Sequence, residues 1–378
     1  MTSVPDAPPR VPLQDLRPGI EDVREHVLAL WESILDTAGF VGGPIVQEFE
    51  AGWAAYCGTE HAIGVANGTD ALELVLRGLG IGAGAEVIVP ANTFVATVEA
   101  IVVAGATPRF VDVDPESLLI TGRAVREAAN DRTAAVVVVP LWGNVPDMDD
   151  LAAVACSLGV ALIEDAAQAQ GAAWNGRRAG SFGVAGCFSY YPTKNLGAFG
   201  DAGAVVTDDP SLAAAIRSIA NHGRTPEASH LHVRLARNSR LDALQAAVLV
   251  AKLAHLDRWN DGRRRVAQRY REYFPPGGSV SWVEAPHGST SVHHQAVVRV
   301  QGRDSVRRAL DARGIQTGVH YPMPCHQQDP YRDYATEPLP VAERAAGEIL
   351  SLPIYEGMPD EVVDRAAEAL LEVTAVDE

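Results

Sequence analysis

Cysteine is scarce in this chain of 378 residues. The four present, Cys57, Cys156, Cys187 and Cys325, include no CxxC pair. This argues against a zinc site and a disulfide framework, and it fits a reducing cytoplasm. Long apolar runs are missing as well: Ala134 to Val139 is far too short to span a bilayer. The opening residues, MTSVPDAPPR, carry Asp6 and three prolines where a secretory leader needs an apolar stretch. Positive charge is in deficit, with 31 Lys plus Arg against 48 Asp plus Glu and a net charge of −17. Such a chain repels phosphate backbones at long range, so nucleic acid and anionic membranes are poor partners. Any phosphorylated ligand must be held by local donors.

What is present, 47% hydrophobic and 21% charged residues, is ordinary for a soluble globular enzyme and wrong for a disordered or fibrous protein. The length suits two domains, or one large and one smaller. Short runs of Val and Ile alternate with amphipathic stretches. Strands are expected at Glu86–Val89, Pro108–Val113, Ala134–Pro140, Ala161–Glu164, Cys187–Tyr190 and Ala204–Thr207. Helices are expected at Thr69–Leu79, Val95–Ala104, Asp147–Leu158 and Pro210–Ala220. The alternation reads as an α/β domain with a mostly parallel sheet buried on both faces. A long helical region follows from Ser239 to Tyr273, and its basic run Arg263, Arg264, Arg265 reads as a solvated helix face. Beyond it come a strand at His293–Val300 and helices at Arg303–Arg313, Val341–Leu350 and Asp360–Glu372, a smaller α+β unit. The expected division is 1–255 for the large domain and 256–378 for the small one.

Three motifs carry chemistry. Asn67-Gly68-Thr69-Asp70 precedes an amphipathic run; Thr69 or Asp70 can cap a helix there, and Gly68 lets backbone approach a ligand. A helix start with free N–H groups can take an anion, although alone the motif is an ordinary capped helix. GIGAGA at 80–85 imitates a dinucleotide fingerprint but lies between a helix and a strand, the reverse of the required order. The apolar strand at Ala161 ends in Glu164 and Asp165, where an α/β sheet gathers ligands; a helix cap is the competing explanation. Lys194 sits in a glycine-rich loop between two apolar strands. A desolvated lysine amine is a nucleophile toward carbonyls. Together, an anion cradle, a strand-end acid and a loop lysine are the parts that pyridoxal phosphate needs.

At these residues the chain resembles the DegT/DnrJ/EryC1/StrS sugar aminotransferases, which have the aspartate-aminotransferase-like, type I pyridoxal phosphate fold. The resemblance runs from VPLQDLRP (11–18) through NGTDAL (67–72), PANTFVAT (90–97), IEDAAQAQGA (163–172), FSYYPTKNLGAFGDAGAVVT (188–207) and NSRLDALQAAVL (238–249) to TGVHYP (317–322). It implies that Lys194 forms the Schiff base and shuttles a proton, and that Asp165 pairs with the pyridinium nitrogen. It also implies phosphate binding by Gly68, Thr69 and Ser189, packing of Phe94 on the cofactor ring, and a hydrogen bond from Gln168 to the phenolic oxygen. Asn238 is implied to reach the phosphate from a second subunit, making a homodimer with shared sites, and His320 and Tyr321 to line the substrate cleft. Ala202 departs from a second glycine that the family often has there. The reaction implied is transfer of an amino group from glutamate to a nucleotide-linked, dTDP-type ketosugar. Gln168 favours a 3-keto acceptor, because members acting on 4-ketosugars tend to have His there. A 4-ketosugar, a ketocyclitol, or a non-catalytic cofactor-binding regulator are the alternatives.

Overall fold

A computed structural model describes residues 10–225 and 228–375. The proline-bearing opening stretch read above against a secretory leader lies outside the described residues, apart from Arg10. The dominant feature is a seven-stranded sheet built from β1 (His61–Val65), β2 (Glu86–Pro90), β3 (Thr107–Val111), β4 (Thr133–Val138), β5 (Ala161–Asp165), β6 (Ala185–Ser189) and β7 (Gly203–Thr207). Their order is β1-β7-β6-β5-β4-β2-β3. β2 pairs in parallel with β3 and β4, β4 with β5, and β5 with β6. β7 pairs antiparallel with both β6 and β1, so it alone runs against the rest. β2, β4 and β6 are apolar along most of their length because helices cover both faces, as a parallel sheet requires. The expected type I fold, with its mostly parallel central sheet flanked by helices, is the fold observed.

Three expectations need correction here. β1 was not anticipated, since His61 and Gly64 leave HAIGV without an unbroken apolar run. The cap of helix Gly68–Gly78 is neither Thr69 nor Asp70 but Asn67, whose Oδ1 accepts the Asp70 N–H at 2.8 Å. The long helical region is two helices, Ala243–Leu253 and Leu256–Tyr273.

A second sheet joins β8 (Val280–Trp282), β9 (Ala296–Val300) and β10 (Ile349–Leu352), all antiparallel. Helices Arg303–Ala312 and Asp360–Ala375 share a core with it, and so does the later part of helix Leu256–Tyr273. Val11 belongs to that core and bridges Ile315, so the amino-terminal segment docks on this C-terminal unit. β10 lies within the span expected to be helical at Val341–Leu350. The helix there is Pro340–Glu348, and the chain then turns extended to complete the sheet edge.

The basic run is the clearest correction. Half-buried Arg264 pairs with Asp261 and exposed Arg265 with Asp360, at the helix surface. Arg263, however, is only 2% exposed. Its guanidinium donates to the carbonyls of His293, His294 and Ile354 at 3.3–3.4 Å and pairs with Glu356 at 3.4 Å. Arg263→Met keeps the volume but leaves those acceptors unpaired. It should cost on the order of 3 kcal/mol, read as a lower urea midpoint; an unchanged midpoint would contradict the stapling role.

Candidate active site

The carboxyl ends of the parallel strands meet at one cavity of about 490 Å³. Asn67 and Gly68 enter it after β1, Thr93 and Phe94 after β2, Val139 after β4, Asp165 from the last residue of β5, and Ser189 from the last of β6. This is where open α/β sheets place ligands. Gly68, Thr69, Phe94, Asp165, Gln168, Ser189, Lys194, His320 and Tyr321 all line it. Asn238 does not: it is exposed on the same protomer, where its Oδ1 accepts from Arg240 Nε at 2.9 Å.

Strand alternation separates the two carboxylates of β5. Glu164 faces the interior behind the sheet and accepts backbone N–H groups from Gly180 (2.7 Å), Phe182 (2.6 Å) and Gly183 (3.2 Å). Asp165 faces the cavity. Its Oδ2 accepts from the Thr97 hydroxyl at 2.6 Å, and its Oδ1 takes the Ala167 N–H at 3.3 Å. Thr93 precedes helix Val95–Val103, Thr97 lies in its first turn, and the two share a 2.7 Å hydroxyl contact. Burial raises the Asp165 pKa, opposed by Thr97, Ala167 and the Lys194 charge. A buried carboxylate held this way is built to meet a cation from the cavity.

Lys194 supplies the opposite case. Among the described residues no group hydrogen-bonds its ammonium. Burial lowers its pKa to about 8, and only the Asp165 charge is resolved as opposing this. Its loop is anchored from behind. Asn195 donates to Asn260 Oδ1 (2.8 Å) and to the Val292 carbonyl (3.0 Å), while its own oxygen meets His294 Nδ1 at 3.1 Å. Lys252 donates to the Gly197 carbonyl at 2.7 Å. Burial, with the Lys194 charge next, lowers the His320 pKa to about 4 and that of His294 well below the ordinary value, so both imidazoles facing the cavity are neutral at pH 7.

A family model for the DegT/DnrJ/EryC1/StrS aminotransferases matches residues 21–371. The chain belongs to that family. Over 94% of this chain and 96% of the relative, it is 44% identical to a UDP-N-acetyl-3-dehydro-α-D-glucosamine 3-aminotransferase of Acidithiobacillus ferrooxidans. Over 92% of this chain and 91% of the relative, it is 45% identical to a dTDP-3-amino-3,4,6-trideoxy-α-D-glucose transaminase of Streptomyces venezuelae. The crystal structure of S. venezuelae DesV superposes with a TM-score of 0.93 at 42% identity, covering 97% of this chain and 99% of that one.

The cavity of this family member fits the cofactor that its fold implies. Helix Gly68–Gly78 points its free N–H groups into it, and Gly68 is needed there, since a Cβ would come 2.7 Å from Ser189 Cβ. An unpartnered amine and a buried carboxylate face the same space. Gln168 is more constrained than its motif suggests: its oxygen accepts the Trp142 N–H at 2.7 Å and its amide donates to the Tyr321 hydroxyl at 3.0 Å. One amide hydrogen is left for the cavity. Phe94 is 48% exposed, its ring 5.3 Å from that of Tyr321. Sequence reasoning missed Thr97, His294 and Gln295. Thr97 ends the PANTFVAT motif, and its spacing from Thr93 was the available signal; His294 and Gln295 offered none.

Proposed function

We propose that this chain is a pyridoxal-phosphate-dependent aminotransferase that moves an amino group from glutamate to the 3-keto carbon of a nucleotide-linked deoxysugar, with dTDP as carrier. One observation carries it: Lys194, unpartnered and shifted toward its neutral form, opens on the cavity that Asp165 faces. Pyridoxal phosphate, when bound, supplies a sink for the electron pair left when a C–H bond beside nitrogen breaks. Asp165 holds positive charge at the end of β5, with the Thr97 hydroxyl fixing its orientation. Lys194 takes a proton from the donor carbon and returns one to the acceptor carbon. Gly68, Thr69 and Ser189 hold a phosphate, and Phe94 covers a ring face. Gln168 gives its remaining amide hydrogen to a phenolic oxygen. His320 and Tyr321 contact the sugar. The 3-keto position is supported by Gln168 and by the two relatives named as acting to form 3-amino sugars. A panel of 3-keto and 4-keto nucleotide sugars and ketocyclitols, each offered with glutamate, tests the reading. The 3-keto nucleotide sugar should be aminated fastest, and exclusive amination of a cyclitol would overturn it.

The active unit in this reading is a homodimer. Asn238 lies outside its own protomer's cavity, and Phe40, Val41 and Leu35 are exposed apolar side chains. Asn238→Ala mixed with Lys194→Ala should recover activity after subunit exchange, because one site of each hybrid regains both groups. Failure to recover would show that each site is complete within one chain. We place the enzyme in the cytoplasm; among the described residues no helix is long and apolar enough to cross a membrane.

A further inference from the structure

An acidic chain must solve a local problem if its acceptor carries a diphosphate. Two grooves border the cavity. One, of about 480 Å³, shares Asn67, Thr69 and Asp201 with it and adds Asp70, Glu73 and Glu99. Its Arg237 is already committed to Asp70, at 2.9 Å, and to Glu73. That groove repels a diphosphate. The other, of about 720 Å³, shares Leu13 with the cavity and runs along the exposed face of helix Arg303–Ala312. Its two acids are spoken for: Asp304 pairs with Arg303 at 2.7 Å, and Asp311 with Arg10. Arg307 and Arg308 line the same groove, and among the described residues neither has an ion pair or hydrogen bond. Two further donors sit beside them. Gln316 gives its oxygen to the Leu13 N–H at 3.3 Å, which leaves its amide hydrogens free. The Thr317 hydroxyl is buried without a partner.

We infer that the groove formed by Arg307, Arg308, Gln316 and Thr317 holds the diphosphate of the acceptor nucleotide, with Leu13 as the wall between sugar and phosphate. The inference rests on the nucleotide-sugar reading above and names the subsite it needs. Guanidinium groups match phosphate oxygens in a bidentate fork, and here two stand within one turn of a helix. Both side chains are exposed, so replacing them leaves the fold intact.

The test is calorimetric titration of the cofactor-loaded enzyme with dTDP and with UDP. Arg307→Ala combined with Arg308→Ala should weaken binding of the preferred nucleotide at least about tenfold. The paired Lys replacements, which keep the charge but not the fork, should recover only part of it, and affinity for phosphate-free thymidine or uridine should not move. In turnover, KM for the acceptor rises while kcat holds. An unchanged Kd for the nucleotide in the double Ala variant overturns the inference, as does an equal loss for nucleoside and nucleotide. Should the wild type bind neither nucleotide and aminate only nucleotide-free ketones, the functional reading fails, and the subsite with it.

Discussion

Lys194→Ala should abolish transamination, with a loss of at least about 10³-fold in turnover, and borohydride reduction should no longer fix cofactor to the chain. Mass spectrometry of the reduced wild type should place the adduct on Lys194. The expectation comes from the only resolved influences on that amine, burial and the Asp165 charge, which leave its pKa at about 8. A lysine must lose its proton to attack a carbonyl. Between pH 8 and 10.5 this amine is mostly neutral while an ordinary lysine is mostly charged. In the apoprotein, the rate of aldehyde addition at Lys194 should therefore rise with pH and level off above about 8. A rate still climbing toward pH 10 would show that burial does not tune the group. Normal turnover in the Ala variant would remove Lys194 from the mechanism altogether.

Asp165→Asn should slow turnover by at least about 100-fold while leaving the fold nearly as stable. The Asn side chain keeps the shape, and its single oxygen can still accept the Ala167 N–H while its amide donates to the Thr97 hydroxyl, which turns to accept it and gives its own hydrogen to Thr93. What it loses is the negative charge that a cation in the cavity would meet. A desolvated charge pair favours the state in which charge develops over the ground state. If Asp165 only capped the turn after β5, the substitution would cost about 1 kcal/mol of stability and spare turnover. Single-turnover kinetics with glutamate separate the two: wild-type rates of proton abstraction in the Asn variant would end the charge role.

The parts of this architecture visible in the sequence are those whose environment is uniform. β2 and β4 are buried on both faces, so each appears as an unbroken apolar run. The loop of Lys194 stands out because a lysine among glycines, between two such runs, has no local reason to be there. What stayed hidden depends on partners far along the chain. Arg263 looks like its neighbours Arg264 and Arg265 until segments 293–294 and 354–356 bring it three carbonyls and a carboxylate. Thr97 is an unremarkable helix residue until β5 delivers Asp165 to it, 68 positions later. β10 was hidden for a different reason: its apolar residues continue the helical pattern of Pro340–Glu348, and only the neighbouring strand β9 makes them extended.

Neighbouring carboxylates on opposite sides of β5 make the strand sensitive to phase. Shift it by one residue, and Glu164 would look into the cavity while Asp165 would face the packed interior. The three amides that grip Glu164 act as an index pin against that slip, because they fit only one setting of the strand. Insertions or deletions just ahead of Ala161 are therefore far more dangerous than substitutions there. Anyone transplanting this site into another scaffold would have to carry the 180–183 loop along with it, although no atom of that loop touches the cavity.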